Sequence, residues 1–418
     1  MGSTVAEKIL SRCAGQPVKP GDIVWVTPDL IVGHDLNYPI YKRMLGSIGI
    51  DRVVSPEKLV LTIDHQPYTD SAKVAADFQV MREDAKNHGI GHFFDVGRAG
   101  ISHNLPIDRG LVRPGMLVIT SDTRSPALGC VGALGIALGG AFLMQLATGK
   151  SWLRVPETIR VTITGHRPEW LMSRDIAQWI AGQIGLERGD YRVIEFDGPV
   201  VDGMDIDERH TLCNSMVDLG VKSAVTVPSE AILATVRARS DVPFEVVRSD
   251  PDARYLEHLT YDIGALEPQV AIPPSPELAH PVSELAGKRV THAFIGACIA
   301  GKLEDMRAAA KVLTGRKVAP GVQLCIIPAT QEVYRQSLKE GLIDIFAAAD
   351  AQIAVGTCGP CVGGIMPLND GDVCISTGTR NDPGRMGSPT SEVYIASAAT
   401  VAASAIAGHI ADPRQIAP

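Results

Sequence analysis

The chain alternates short apolar runs with stretches of helical periodicity, and few architectures accommodate that alternation. Runs at 20–26, 58–64, 115–121 and 158–164 have the length and composition of strands, and helical spacing covers 70–88 and 173–187. Parallel strands joined by helical crossovers, an α/β layered fold, follow from this order. A second α/β block comes later, with strand 289–296, helix 302–313, strand 322–328, helix 330–340 and strand 351–355. Between the blocks, the low-hydropathy, proline-containing stretch 264–286 reads as a linker or surface crossing. The tail, SEVYIASAATVAASAIAGHIADP, reads as an Ala-rich helix ended by Gly408 and Pro413. A length of 418 residues fits one to three domains.

Composition narrows the partners. Apolar residues make up 45% of the chain but aromatic ones only 5%, so the core is aliphatic. The formal charge is −8 and no cluster of Lys and Arg stands out, which argues against a nucleic-acid surface. The N-terminal MGSTVAEKILSRCAG carries charges within its apolar pattern and makes a poor signal peptide. Residues 127–148 lack charge but are broken by five glycines. They read as a buried, close-packed helix rather than a membrane span. A cytoplasmic protein is expected, in which eight cysteines point to metal binding or plain burial.

Two cysteine sites stand out. Cys298 lies in AFIGACIAGKLEDM, where a strand gives way to a helix, and TCGPC places Cys358 and Cys361 just after strand 351–355. Two cysteines separated by Gly-Pro can direct both sulfurs to one metal centre, although the same spacing serves redox pairs and half zinc sites. Zinc would need a fourth ligand that no neighbouring motif offers. Three thiolates, one plus two, suit an iron–sulfur cluster with one iron left open. Cys13, Cys130, Cys213, Cys325 and Cys374 lie in apolar strings and read as buried thiols.

Taken together, LTIDHQ (61–66), FFDVGRAGISH (93–103), ERHTLCN (208–214), FIGAC (294–298), TCGPCVGG (357–364) and STGTRNDPGRMG (376–387) are far more specific than any one alone. Over nearly its whole length the chain resembles the aconitase superfamily, most closely the large subunits of 3-isopropylmalate dehydratase and homoaconitase. The resemblance implies three α/β layered domains around a central iron–sulfur site, with 1–285 as an N-terminal region of two intertwined domains and 286–418 as a third. It implies a [4Fe–4S] cluster on Cys298, Cys358 and Cys361, and reversible dehydration of a malate-like 2-hydroxy dicarboxylate. Asp64 and His65 match the family's Asp–His pair, with His65 as the acid at the leaving hydroxyl. His103 matches a second active-site histidine, paired with the aspartate at Asp122. Arg380 and Arg385 match arginines that clamp the substrate, Asn214 an asparagine near the cluster, and His34 a substrate-side polar position. The family's carbon base is a serine on a swivelling domain to which nothing in this chain corresponds. A small partner subunit is therefore expected to supply it.

The sequence also departs from the pattern. Where the family has G-D-S-H-T, this chain has Ser121-Asp122-Thr123-Arg124-Ser125, so Arg124 replaces a histidine. That histidine's usual glutamate partner is here Asp218. A longer base and a shorter acid could keep contact as an ion pair, one that orients or binds charge without shuttling protons. The usual S-C-T-N is Ala297-Cys298-Ile299-Ala300, which removes two polar groups near the sulfurs. These changes favour a non-standard dicarboxylate as substrate. The ordinary substrates of the two named dehydratases form the alternative, and a non-catalytic, cluster-bearing iron sensor is the competitor from another class.

Overall fold

A computed structural model describes residues 2–354 and 356–416. The chain forms two compact units, one of Met1–Thr164 with Leu186–Tyr261, the other of Gly165–Gly185 with Asp262–Pro418. Among the described residues, no helix is long and apolar enough to cross a membrane.

The first unit is organised by a five-stranded sheet in the order His92–Phe94, Leu59–Thr62, Leu30–His34, Leu117–Thr120, Leu134–Ala137. Every pairing in it is parallel. Its strands are apolar almost throughout because both faces are covered. Ile31, Leu59, Leu61, Leu117 and Ile119 pack into one core, and Leu30, Val32, Val60 and Val118 into another on the opposite face. Taken in chain order, the strands lie 3-2-1-4-5, so the connections reverse direction between Leu30–His34 and Leu117–Thr120. Such a switch point leaves a crevice at the strands' carboxyl ends. The unit also contains an antiparallel pair, Ile23–Val26 with Ser151–Arg154, and a four-stranded sheet built on Thr158–Thr164 and Val193–Asp197.

The second unit has a seven-stranded sheet. Five of its strands are parallel, ordered Glu392–Ala396, Val373–Ser376, His292–Ile295, Gln323–Ile326, Gln352–Ile353. In chain order they lie 5-4-1-2-3, the same winding as in the first unit. No sequence repeat announces it. Helices Leu303–Leu313 and Ala398–Ala407 cover the sheet through Met306, Ala309, Leu313, Val401, Ala402 and Ala405.

Three expectations need correction. Residues 127–148 are not one helix. They form a 3-10 segment Ser125–Val131, the strand Leu134–Ala137, a short 3-10 turn and the helix Phe142–Thr148. The glycines explain the break, because a Cβ on Gly129 would sit 1.9 Å from the Ala224 carbonyl oxygen and one on Gly135 2.0 Å from that of Ser125. These positions serve close backbone approach, not helix packing. The tail begins as the strand Glu392–Ala396, and its helix starts only at Ala398. Within 264–286, Gln269–Ala271 is a fully buried strand that pairs antiparallel with Glu392–Ala396, so that stretch belongs to the sheet. Of the expected strand 351–355, Gln352–Ile353 is extended, and Val355 lies outside the described residues.

Candidate active site

The carboxyl ends of the first unit's strands gather its polar residues. The strand Leu30–His34 ends on His34, and Asp35 follows. The Asp35 carboxylate accepts backbone N–H bonds from Asp64 (3.2 Å), His65 (3.1 Å) and Gln66 (3.0 Å), so the turn after Leu59–Thr62 is wrapped around it. That turn presents Asp64 and His65. His65 Nδ1 lies 2.7 Å from Asp64 Oδ1, and Asp64 Oδ2 accepts from the Ser102 backbone N–H at 2.7 Å. The bond to Ser102 brings in the next residue, His103.

All three imidazoles turn toward Asp122, which stands just beyond Leu117–Thr120 on the other side of the switch point. His103 Nε2 lies 3.3 Å from one carboxylate oxygen. The Nε2 atoms of His34 and His65 lie 3.5 and 3.9 Å from the other. The rings of His34 and His65 are stacked, with centroids 4.4 Å apart.

These neighbours separate the two stacked rings electrostatically. Burial disfavours a charge on His65, yet Asp64 and Asp35 outweigh it and raise its pKa well above the usual imidazole value. Burial and the neighbouring His65 push His34 down, despite Asp64 and Asp122. One ring is thus held protonated and the other neutral, an arrangement that divides acid from non-acid roles. Burial would raise both Asp64 and Asp122. The charge of His65 holds Asp64 low, and the hydrogen bond and charge of His103 hold Asp122 well below the carboxylate range.

Arg124 and Asp218 meet in a bidentate ion pair of 2.9 and 2.7 Å, both side chains being buried. Arg124 also donates to the Asn214 carbonyl at 3.3 Å, at the end of the helix Ile206–Ser215. The Asn214 side-chain amide is buried and finds no hydrogen-bond partner among the described residues. Buried amides in that condition call for an explanation, a bound group being one.

In the second unit, Cys298 follows the first strand of its parallel set, the strands holding the equivalent switch point. Ala297 just before it adopts a left-handed φ of 67°, a strained turn for a residue with a Cβ. The Thr377 hydroxyl ties this strand end to its neighbour by accepting from Gly296 N–H at 2.8 Å. Cys358 and Cys361 lie in the turn after Gln352–Ile353. The three thiols are buried, no disulfide forms among the described residues, and Cys361 Sγ lies 3.2 Å from Thr379 Oγ1. A Cβ on Gly378 would come within 3.6 Å of that sulfur. Three buried thiols with a hydroxyl beside one suit a soft metal centre. Arg380 is exposed and Arg385 half-buried. Between them Asn381 is buried, with no partner for its amide among the described residues.

Over residues 7–408 the chain matches the aconitase family (aconitate hydratase). It belongs to the aconitase family. It is 43% identical over 416 residues to "3-isopropylmalate dehydratase large subunit 1" of Methanopyrus kandleri, covering 99% of each chain. To the large subunit of Aquifex aeolicus it is 41% identical, over 100% of this chain and 98% of that one. The large subunit 1 of Pyrococcus furiosus is 40% identical over 99% of each. As an aconitase-family protein the chain is a hydro-lyase, and enzymes of the family use an iron–sulfur cluster.

In the first unit the structure gathers His34, Asp64, His65, His103 and Asp122 into one cluster, and joins Arg124, Asn214 and Asp218 into another. The second unit holds Cys298, Cys358, Cys361, Arg380 and Arg385. Two contributors had not been singled out. Asp35 organises the Asp64–His65 turn, and its adjacency to His34 was the available signal. His210 lies in the ERHTLCN motif, and its Nε2 stands 3.2 Å from the His103 carbonyl.

Proposed function

We propose that this chain is the catalytic large subunit of a 3-isopropylmalate dehydratase, with His65 as the acid that protonates the leaving hydroxyl. The observation that carries the proposal is the buried His65–Asp64 pair, in a chain related end to end to proteins of that name. A carboxylate on Nδ1 fixes the ring, keeps it charged and leaves Nε2 to deliver a proton. The C–O bond breaks as that proton passes to oxygen, and water departs. The proton on the adjacent carbon goes to a base on a small partner subunit, and the C–H electron pair forms the double bond. Arg380 and Arg385 bind the substrate carboxylates, and His34 and Asn214 line its site. Cys298, Cys358 and Cys361 are the proposed holders of a [4Fe–4S] cluster, which when bound supplies an open iron as Lewis acid at the hydroxyl and carboxylate.

A different dicarboxylate is the second reading. Arg124–Asp218 and the apolar Ala297 and Ala300 favour it, because they alter the polar groups where the sequence departs from the family pattern. Co-expression with the cognate small subunit, anaerobic reconstitution and parallel assays on 3-isopropylmalate, maleate, citraconate and mesaconate test both. Fastest turnover of 3-isopropylmalate supports the first reading; clear preference for one of the others replaces it with the second.

A further inference from the structure

The Arg124–Asp218 pair has the geometry of a brace. Arg124 begins a 3-10 segment, and its backbone N–H donates to Asp122 Oδ1 at 3.2 Å. The Thr120 hydroxyl donates to the Asp122 carbonyl at 2.6 Å, closing the same turn. Beyond the turn, both terminal guanidinium nitrogens engage Asp218, and one also reaches the Asn214 carbonyl. A cation at a helix C-terminus is favourably placed, and a planar fork on a carboxylate fixes orientation as well as distance. The helix that Arg124 grips, Ile206–Ser215, also carries His210, whose Nε2 lies 3.2 Å from the His103 carbonyl. One helix therefore tethers both members of the 3.3 Å contact between His103 and Asp122.

We infer that Arg124 and Asp218 are positioning residues: their ion pair locks the Asp122 turn to the 3-10 segment Met216–Leu219 that continues the helix Ile206–Ser215, and so holds the Asp122 carboxylate against the three imidazoles. Arg124 acts through Asp122, not on the substrate. The groups facing Asp122 are His103, His34 and His65, with Asp35 and Asp64 behind His65. Loosening the turn alters the field at each imidazole. The catalytic arm of the test rests on the proposed function; the titration arm does not.

Arg124→Lys, Asp218→Asn and the re-paired Arg124→Lys/Asp218→Glu are compared in the full chain, with far-UV circular dichroism as the fold control. Imidazole titrations are followed by NMR, and kcat and KM with the small subunit present. The brace predicts that both single variants move the His65 titration in the same direction. It also predicts a fall in kcat of about ten-fold or more with KM changed less than about three-fold, and partial recovery in the re-paired chain. A substrate-binding Arg124 gives the opposite split: Arg124→Lys raises KM, Asp218→Asn leaves it or lowers it, and the imidazoles titrate unchanged. That pattern overturns the inference. Should Asp218→Asn fail to fold, Asp218→Glu alone takes its place in the same comparison. If no substrate turns over yet the imidazole titrations shift together, the functional reading has failed and the brace stands.

Discussion

His65 Nδ1 lies 2.7 Å from the Asp64 carboxylate, and both side chains are buried. The contact keeps the imidazole charged well above its ordinary pKa, against the penalty of burial. A proton donor for a neutral-pH elimination needs that property. Asp64 is itself held by the Ser102 backbone N–H, so the donor's orientation is set by the fold.

Asp64→Asn removes the negative charge and keeps the shape. The alkaline limb of kcat, expected well above pH 6.5 in the parent, is expected to move toward neutrality as His65 loses its proton more easily. Activity at pH 8 is expected to fall by at least about 100-fold. A pH–rate profile of the reconstituted enzyme reads both. An alkaline limb that stays in place removes Asp64 from the account.

Cys298→Ser, Cys358→Ser and Cys361→Ser are each expected to abolish or strongly reduce bound iron and the visible absorbance while leaving the far-UV spectrum intact. Cys325→Ser and Cys374→Ser are the controls. Both thiols are buried in sheet strands, and burial pushes the Cys325 thiol up to about 12, as befits an inert group. Iron analysis after anaerobic reconstitution separates the two sets. Full iron in a Cys358→Ser chain contradicts the assignment.

Gly129→Ala puts a methyl group where the Ala224 carbonyl already stands, 1.9 Å from its oxygen. Overpacking against backbone cannot relax cheaply, and a loss of about 3 kcal/mol or more is expected in urea denaturation. Gly140 has nothing within 4 Å of the same position, so Gly140→Ala is expected to stay within about 1 kcal/mol of the parent. Equal effects at the two sites contradict the close-approach explanation of the 127–148 segment.

That segment shows where local pattern gives out. The strand 158–164 and the helices near 173–184 and 303–313 could be read directly, because their periodicity reports burial against the sheets. Residues 127–148 could not. Freedom from charge signals burial, but whether a buried run is helix or strand depends on what its glycines approach, here the Ala224 carbonyl far along the chain from Gly129 and the Ser125 carbonyl beside Gly135. Likewise Glu392–Ala396 runs into an Ala-rich helix with only Ser397 between, and its identity as a strand is set by partners on both sides. The site was legible as motifs, and the Arg124–Asp218 contact as a matched change. Adjacency to His34 marks the position of Asp35 but not its part, because accepting backbone N–H bonds leaves no spacing signature.

The charges also set the stability profile. Asp64 and Asp122 are held below the usual carboxylate range, so their contribution is present above about pH 4, the unfolded value, and is lost as pH falls toward the lowered folded values. His65 works the other way. Its contribution is complete below about pH 6.5 and disappears as pH rises through the elevated folded value. Urea midpoints of the metal-free chain are expected to decline on both sides of a maximum between those limits, and Asp122→Asn is expected to flatten the acid side. An unchanged acid slope in that variant contradicts the electrostatic role given to Asp122.

The most direct test of the central claim is iron-dependent turnover of 3-isopropylmalate by the chain paired with its small subunit under anaerobic conditions. The account predicts dehydration that rises with iron and sulfide loading and disappears both in His65→Gln and in Cys361→Ser, the former with its iron retained. A fully loaded pair that leaves 3-isopropylmalate and the other dicarboxylates unchanged contradicts it.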